Sequence, residues 1–341
     1  MATPGPQLFR REESNPILTA AEWPYTVNAV FNPGAILGPS GETILLVRVE
    51  DRAGYSHLTV ARSDDGITDW KIESQPLIHA ASDGYQDWGA EDPRLTEIDG
   101  RYYIAFTGLS PSGPLVVLAR TEDFLSYERC SVVSTPEDKD AALFPVRFDD
   151  RYALFRRPVA SSSHGAAPDM WISFSPDLTH WGDHRVVIRS RRSGHWDREK
   201  VGLGPPPLET PAGWLILFHG VKSTAAGSLY RAGLALLHRE DPTVVMGRSD
   251  EWVFGPEAPY ELLGDVPGVV FPTGWVQLRD GVVRMYYGAA DTTVAAATAV
   301  VDELVAFVES HCVCGTFHPG EPCPIGGADP ARLLQAGPMP K

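Results

Sequence analysis

The sequence predicts an all-β protein: a five-bladed β-propeller with a short N-terminal arm and a C-terminal helix and tail. Three observations carry this. Glycine (32) and proline (30) are abundant and spread along the 341 residues, which favours many strands joined by tight turns. A strand, an acidic turn and a following aromatic residue recur: Leu58 to Gly66 with Trp70, Val116 to Phe124 with Tyr127, Met170 to Leu178 with Trp181, and more weakly Leu234 to Pro242. The acids of these turns, Asp65, Asp123, Asp177 and Asp241, stand 58, 54 and 64 residues apart, and a repeat of about that length holding several short strands marks a propeller blade. A β-sandwich with coincidental turns is the competing architecture.

Taken in order, residues 1–27 read as an irregular arm, 28–300 as the propeller, and 301–341 as a helix and loose tail. Asn32-Pro33-Gly34-Ala35 is a turn signal. Ile44 to Val49 is an apolar strand of the kind covered on both faces, and Arg48 within it needs a partner. Tyr102–Phe106, Tyr152–Phe155, Trp214–Phe218 and Arg284–Tyr287 supply further short strands between the repeats. The alanine-rich run from Val294 is read as a closing strand, followed from Asp302 by a short helix. Trp70, Tyr127 and Trp181 recur with the repeat and are read as blade core.

The formal net charge of −15 argues against nucleic acid and anionic membrane surfaces as partners. The bases Arg156, Arg157, Arg189, Arg191, Arg192, Arg198 and Lys200 nevertheless fall in one region, which allows a local cationic site; Arg189 to Arg192 are read as solvated loop. No apolar run reaches transmembrane length, and residues 1–15 lack the pattern of a signal peptide. Four cysteines are no disulfide framework, so a reducing cytoplasm is expected.

The stretch with the clearest chemical potential is Gly89-Ala90-Glu91-Asp92-Pro93-Arg94. Pro93 is expected to hold Asp92 extended, so that Asp92 and Arg94 share a face and form an acid beside a fixed cation. Propeller ligands sit on the axis where inner strands converge, so candidates should come from every blade. Asn32, Arg48, Asp92, Arg94, Lys139, Asp140, Arg156, Arg157, Lys200, His219, Tyr230 and Asp291 meet that requirement. Trp88, beside the acid motif, is a candidate for stacking on a sugar.

With these segments in view, the chain resembles glycoside hydrolase family 130, the inverting β-mannoside phosphorylases and related β-mannosidases. Phe31–Ala35, Leu46–Glu50, Glu91–Arg94, Lys139–Pro145, Phe155–Pro158, Lys200–Pro207, Phe218–Gly220, Tyr230-Arg231, Pro259–Glu261 and Gly288–Thr292 carry the resemblance. No one of them is diagnostic; ten in order are specific. The resemblance implies a five-bladed propeller with Asp92 as general acid, acting through a sugar hydroxyl. It implies that Asn32, Arg48 and Asp291 hold the mannosyl ring and that Arg156, Lys200, His219 and Tyr230 bind phosphate, with Arg94, Lys139 and Asp140 as further substrate-binding residues. One departure is Lys139, where mannosylglucose-type members carry arginine; a point charge replaces a bidentate fork. This bears on the acceptor sugar and linkage more than on the chemistry.

The expected activity is therefore phosphorolysis of a β-linked mannose-containing di- or oligosaccharide to α-mannose 1-phosphate, with inorganic phosphate as co-substrate and no cofactor. An inverting hydrolase needs a second carboxylate to activate water, whereas phosphate is already a nucleophile and needs cations instead. Hydrolysis on the same fold and a non-catalytic sugar-binding propeller are the alternatives. Linkage stays open, and a homo-oligomer is compatible with this reading. In the tail, His311, Cys312, Cys314, His318 and Cys323 fit no two-plus-two zinc spacing, so no metal is expected.

Overall fold

The computed structural model describes residues 8–159, 168–191, 194–225, 227–318 and 320–327. Arg192 and the last fourteen residues of the tail lie outside them. The architecture is a ring of five antiparallel blades. Blade one holds β2 (Ala29–Leu37), β3 (Thr43–Glu50), β4 (Ser56–Ser63) and β5 (Lys71–Ile72). Blade two holds β6 (Gly89–Ile98), β7 (Arg101–Ser110), β8 (Gly113–Thr121) and β9 (Glu128–Val132), and blade three β10 (Asp138–Phe148), β11 (Arg151–Pro158), β12 (Met170–Ser175) and β13 (Gly182–Ile188). Blade four is built from β14 (Lys200–Leu203), β15 (Leu208–Thr210), β16 (Gly213–Thr224), β17 (Gly227–Leu237) and β18 (Val245–Arg248). Blade five is built from β19 (Val270–Gln277), β20 (Val282–Ala289) and β21 (Thr293–Val300), to which β1 (Arg10–Arg11) adds an edge. Two helices, α1 (Pro259–Leu262) and α2 (Val301–Ser310), flank the last blade. None of the described helices is long and apolar enough to cross a membrane.

The strands are apolar on both faces because each blade packs against two others. In β3, Ile44 and Leu46 face blade two, while Leu45, Val47 and Val49 face blade five. In β11, Ala153 and Phe155 join the core shared with blade four, and Tyr152 and Leu154 the core shared with blade two. A fifth cluster, with Leu215, Leu217, Leu234, Val270 and Met285, lies between blades four and five. Strand alternation thus splits the apolar residues among five inter-blade cores, and the cores close the ring.

The repeated acidic turns are capped alike. Asp65 accepts the N–H groups of Ile67 and Thr68, Asp123 those of Leu125 and Ser126, and Asp177 those of Thr179 and His180. These bonds hold Asp123 and Asp177 below the ordinary carboxylate range; at Asp65 they outweigh an upward push from burial. Trp70, Tyr127 and Trp181 pack at the edges of three inter-blade cores, as their recurrence predicts.

The arm is less irregular than its sequence suggests. Arg10 and Arg11 pair with Thr298 and Ala297, and Arg11 forks onto the buried Glu261 at 2.8 and 2.9 Å. A two-residue strand has no alternation to read, so this ring-closing contact leaves no periodic signal. Blades one and two are also joined by one parallel bridge, Ser56 to Gly89. Gly89 has φ of 118°, and a Cβ there would fall 2.1 Å from the Ser56 carbonyl oxygen, so only glycine fits.

Candidate active site

Three inner strands carry the same device. In β2 the register slips between Phe31 and Gly34, in β6 between Glu91 and Arg94, and in β10 between Lys139 and Ala142. The residue at each bulge, Asn32, Asp92 or Asp140, has a left-handed backbone with φ of 45°, 50° and 54°. Asparagine and aspartate are the non-glycine residues that best tolerate this region, and each bulge re-aims a polar side chain. The sequence signal was available: Phe31-Asn32-Pro33, Glu91-Asp92-Pro93 and Lys139-Asp140-Ala141 are one motif in successive blades. The structure corrects the expected extended geometry of Asp92. Pro93 excludes the right-handed helical region, and the chain satisfies it with a left-handed residue.

The three bulges open onto one cavity of about 180 Å³. Asn32 and Arg48 line it from blade one, Asp92 from blade two, Lys139, Asp140 and Arg157 from blade three, and Lys200, His219 and Tyr230 from blade four. Val269, Phe271 and Asp291 line it from blade five and its flanks. A larger cavity of about 600 Å³ lies beside the arm and blade four, but no side chain of the first three blades reaches it. Convergence of buried charges from all five blades marks the smaller one as the candidate site.

One side of the cavity is centred on Asp92. Its Oδ1 accepts from Asn32 Nδ2 at 2.9 Å and from the Arg48 guanidinium at 3.0 Å. Burial pushes the Asp92 carboxyl up, but Arg48, Arg94, Lys139 and the Asn32 bond outweigh it and hold it below the usual range. Arg48 also donates to Glu91 at 3.0 Å, and Glu91 receives Lys139 at 3.3 Å. This meets the need of Arg48 for a partner inside an apolar strand. Asp291 behaves oppositely: burial and the Asp92 charge push its carboxyl up to about 6.

The other side is cationic. Arg157 Nε donates to Asp140 at 2.6 Å, and the same carboxylate oxygen lies 3.4 Å from His219 Nε2. Burial pushes Asp140 up, yet Arg157, His219 and Arg94 hold it well below the ordinary range. His219 is 1% exposed, and burial lowers its pKa against the opposing pull of Asp140; among the described residues its Nδ1 has no hydrogen-bond partner. Lys200 Nζ donates to the Tyr230 hydroxyl at 2.8 Å, and among the described residues it makes no ion pair. Gly202 leaves room for this arrangement: a Cβ there would lie 2.3 Å from Asp140 Oδ2 and 2.5 Å from His219 Cε1.

Three expected residues stand elsewhere. Arg156 does not line the cavity; it donates to Asp138 at 2.7 Å and to Ser173 at 2.9 Å inside blade three. Adjacent strand residues face opposite ways, and Arg157 shares the face of Phe155, toward blade four. Arg94, 1% exposed, donates to the carbonyls of Asp92, Leu203 and Gly204 and so brackets blade two to blade four rather than facing the cavity. Trp88 is 44% exposed and is absent from the cavity wall. Of the bases read as solvated, Arg189 pairs with Asp169 and Arg191 with the buried Asp197.

The sequence profile of glycoside hydrolase family 130, described as beta-1,4-mannooligosaccharide phosphorylase, matches residues 8–310. The chain belongs to this family. Beta-1,4-mannooligosaccharide phosphorylase of Ruminococcus albus is 33% identical, covering 88% of this chain and 91% of the relative. Beta-1,2-mannobiose phosphorylase of Listeria innocua is 36% identical over 74% of this chain and 70% of its own length. A solved complex of the Listeria innocua phosphorylase with beta-1,2-mannobiose superposes with a TM-score of 0.81 at 30% identity, covering 88% of this chain and 99% of that one. The family 130 profile thus spans every blade that contributes to the cavity.

Proposed function

We propose that this family 130 protein is an inverting β-mannoside phosphorylase, in which a mannosyl ring and inorganic phosphate meet in the axial cavity. The observation that carries the reading is the excess of cationic and donor groups, Arg157, Lys200, His219 and Tyr230, in the same cavity as the buried acid Asp92. Phosphate attacks the anomeric carbon as the glycosidic bond breaks. The leaving oxygen takes a proton that originates on Asp92, with a sugar hydroxyl as relay. Asn32, Arg48 and Asp291 hold the ring, and the Asp291 carboxylate stabilises the oxocarbenium-like charge as it develops. Fixing nucleophile and sugar in one cavity supplies the proximity contribution, about 7–11 kcal/mol in well-oriented systems.

Asp92 has to be protonated to act as an acid, yet its cationic neighbours hold it ionised in the free protein. Phosphate resolves this electrostatically. A dianion held by Arg157 and Lys200 in the same cavity opposes the field of Arg48, Arg94 and Lys139 that depresses Asp92, and so raises its pKa when the nucleophile is in place. Acid catalysis then switches on with phosphate bound, which disfavours attack by water.

The relatives named above act on β-1,4 and β-1,2 mannosides, and the Lys139 ammonium at the cavity wall is the group we assign to acceptor choice. The deciding measurement is product analysis on β-1,4- and β-1,2-mannobiose with and without phosphate. Phosphate-dependent release of α-mannose 1-phosphate is expected; free mannose formed at the same rate without phosphate would sink the proposal.

A further inference from the structure

Beyond the catalytic cavity, three of the four cysteines converge although their spacing fits no standard two-plus-two zinc pattern. Cys312, Cys314 and Cys323 are free thiols whose sulfurs all lie within 4.8 Å of one another. Cys312 Sγ is 3.2 Å from Cys314 Sγ and 3.6 Å from Cys323 Sγ. Tetrahedral zinc with Zn–S bonds of about 2.3 Å sets its sulfurs roughly 3.8 Å apart, which is the scale seen here. A disulfide could use only two of the three and would strand the last.

The backbone around the thiols is fixed rather than loose. Val313 N–H donates to the Arg248 carbonyl at 2.9 Å, and Cys323 N–H to the Val245 carbonyl at 2.8 Å. Gly326 N–H donates to Cys323 Sγ at 3.1 Å and so fixes the position of that sulfur. Cys312 and Cys323 are buried, 6% and 7% exposed. The segment that follows α2, and thus blade five, is therefore sewn to β18, an edge of blade four. Phe317 and Val308 fill the space above Gly247 on that same strand.

We propose that Cys312, Cys314 and Cys323 bind one zinc ion as thiolates, forming a structural clip that fastens the post-helix segment to the outer edge of blade four. On binding, each thiol gives its proton to solvent as a Zn–S bond forms. The fourth tetrahedral position falls to a ligand outside this triangle, such as water; His318 and Glu321 on the connecting loop are exposed and do not join the three sulfurs. None of the three cysteines lines the catalytic cavity, so the clip acts on stability and not on turnover.

The test is titration of the full-length, reduced protein with Co(II). One equivalent should give cobalt–thiolate charge-transfer absorption, displaced by Zn(II). Cys312→Ser and Cys323→Ser should each lose at least about tenfold in affinity, with Cys130→Ser unchanged. In case those variants do not fold, wild-type protein is alkylated with and without zinc and its peptides are weighed. Zinc should shield Cys312, Cys314 and Cys323 but not Cys130. Absence of thiolate absorption in the wild type, absorption that persists without Cys312 and Cys323, or equal labelling with and without zinc would overturn the proposal.

Discussion

The two sides of the axial cavity differ in how completely their charges are matched. Around Asp92 the matching is close: Arg48 meets both Asp92 and Glu91, and Glu91 also meets Lys139. Around Asp140 it is not. One carboxylate is shared by Arg157, His219 and Arg94, while Lys200 turns to a phenol. Ion pairs that are complete have little left for a ligand, whereas cations that outnumber their acids attract an anion into the site. The first side is suited to a neutral sugar and the second to phosphate.

Removing the acid is the most severe way to test this division. Asp92→Asn should lower kcat by about 10³-fold, within the range of general acid catalysis, with KM for phosphate nearly unchanged. Steady-state kinetics on folded protein checks it. Loss confined to KM would place the acid elsewhere.

The second test exploits two neighbours of identical type. Arg157→Lys should raise KM for phosphate by about 10- to 100-fold, through loss of the planar fork. Arg156→Ala should instead leave Asp138 buried and unpaired, at a cost of about 3–5 kcal/mol in stability, with the phosphate KM of the folded fraction unchanged. Thermal melts beside kinetics separate them; matching phosphate defects in both would erase the distinction between the two faces of β11.

A third test follows Asp92 by pH. A general acid loses activity as pH rises through its pKa. Because bound phosphate raises that pKa, the basic limb of kcat at saturating phosphate should lie at higher pH than the basic limb of kcat/KM for phosphate. Coincident limbs would show that the anion and the acid do not sense one another.

The smallest expected effect concerns Asp291, whose folded carboxyl at about 6 stands above the unfolded value near 3.9. Between those values the folded chain holds the extra proton, so stability declines as pH rises through that window and stays lower above it. Asp291→Asn should therefore stabilise the protein at pH 8 by about 1–2 kcal/mol, a figure reduced for its partial exposure, and should have little effect near pH 4. Denaturant melts at the two pH values check the sign.

Much of this site was legible before the fold was known. Asp92 announced itself through Pro93 and its acidic neighbour, and Arg48 through the apolar strand around it. The bulges were harder to read, because Asn32 and Asp140 look like ordinary turn residues until their positions in successive blades are aligned. Arg94 was misread because a side chain that satisfies two backbone carbonyls in another blade, besides that of Asp92, leaves no trace in local spacing.

The periodic acids and the alternation of apolar residues by themselves determined the blades, since capping and strand packing are local and repeat with the chain. Which of Arg156 and Arg157 faces the cavity was decided only by the ring. Both faces of β11 are apolar, so alternation says that the two arginines diverge but not which neighbour each one meets. The same holds for the three thiols, which meet where Val313 and Cys323 bond to the carbonyls of Arg248 and Val245 on β18.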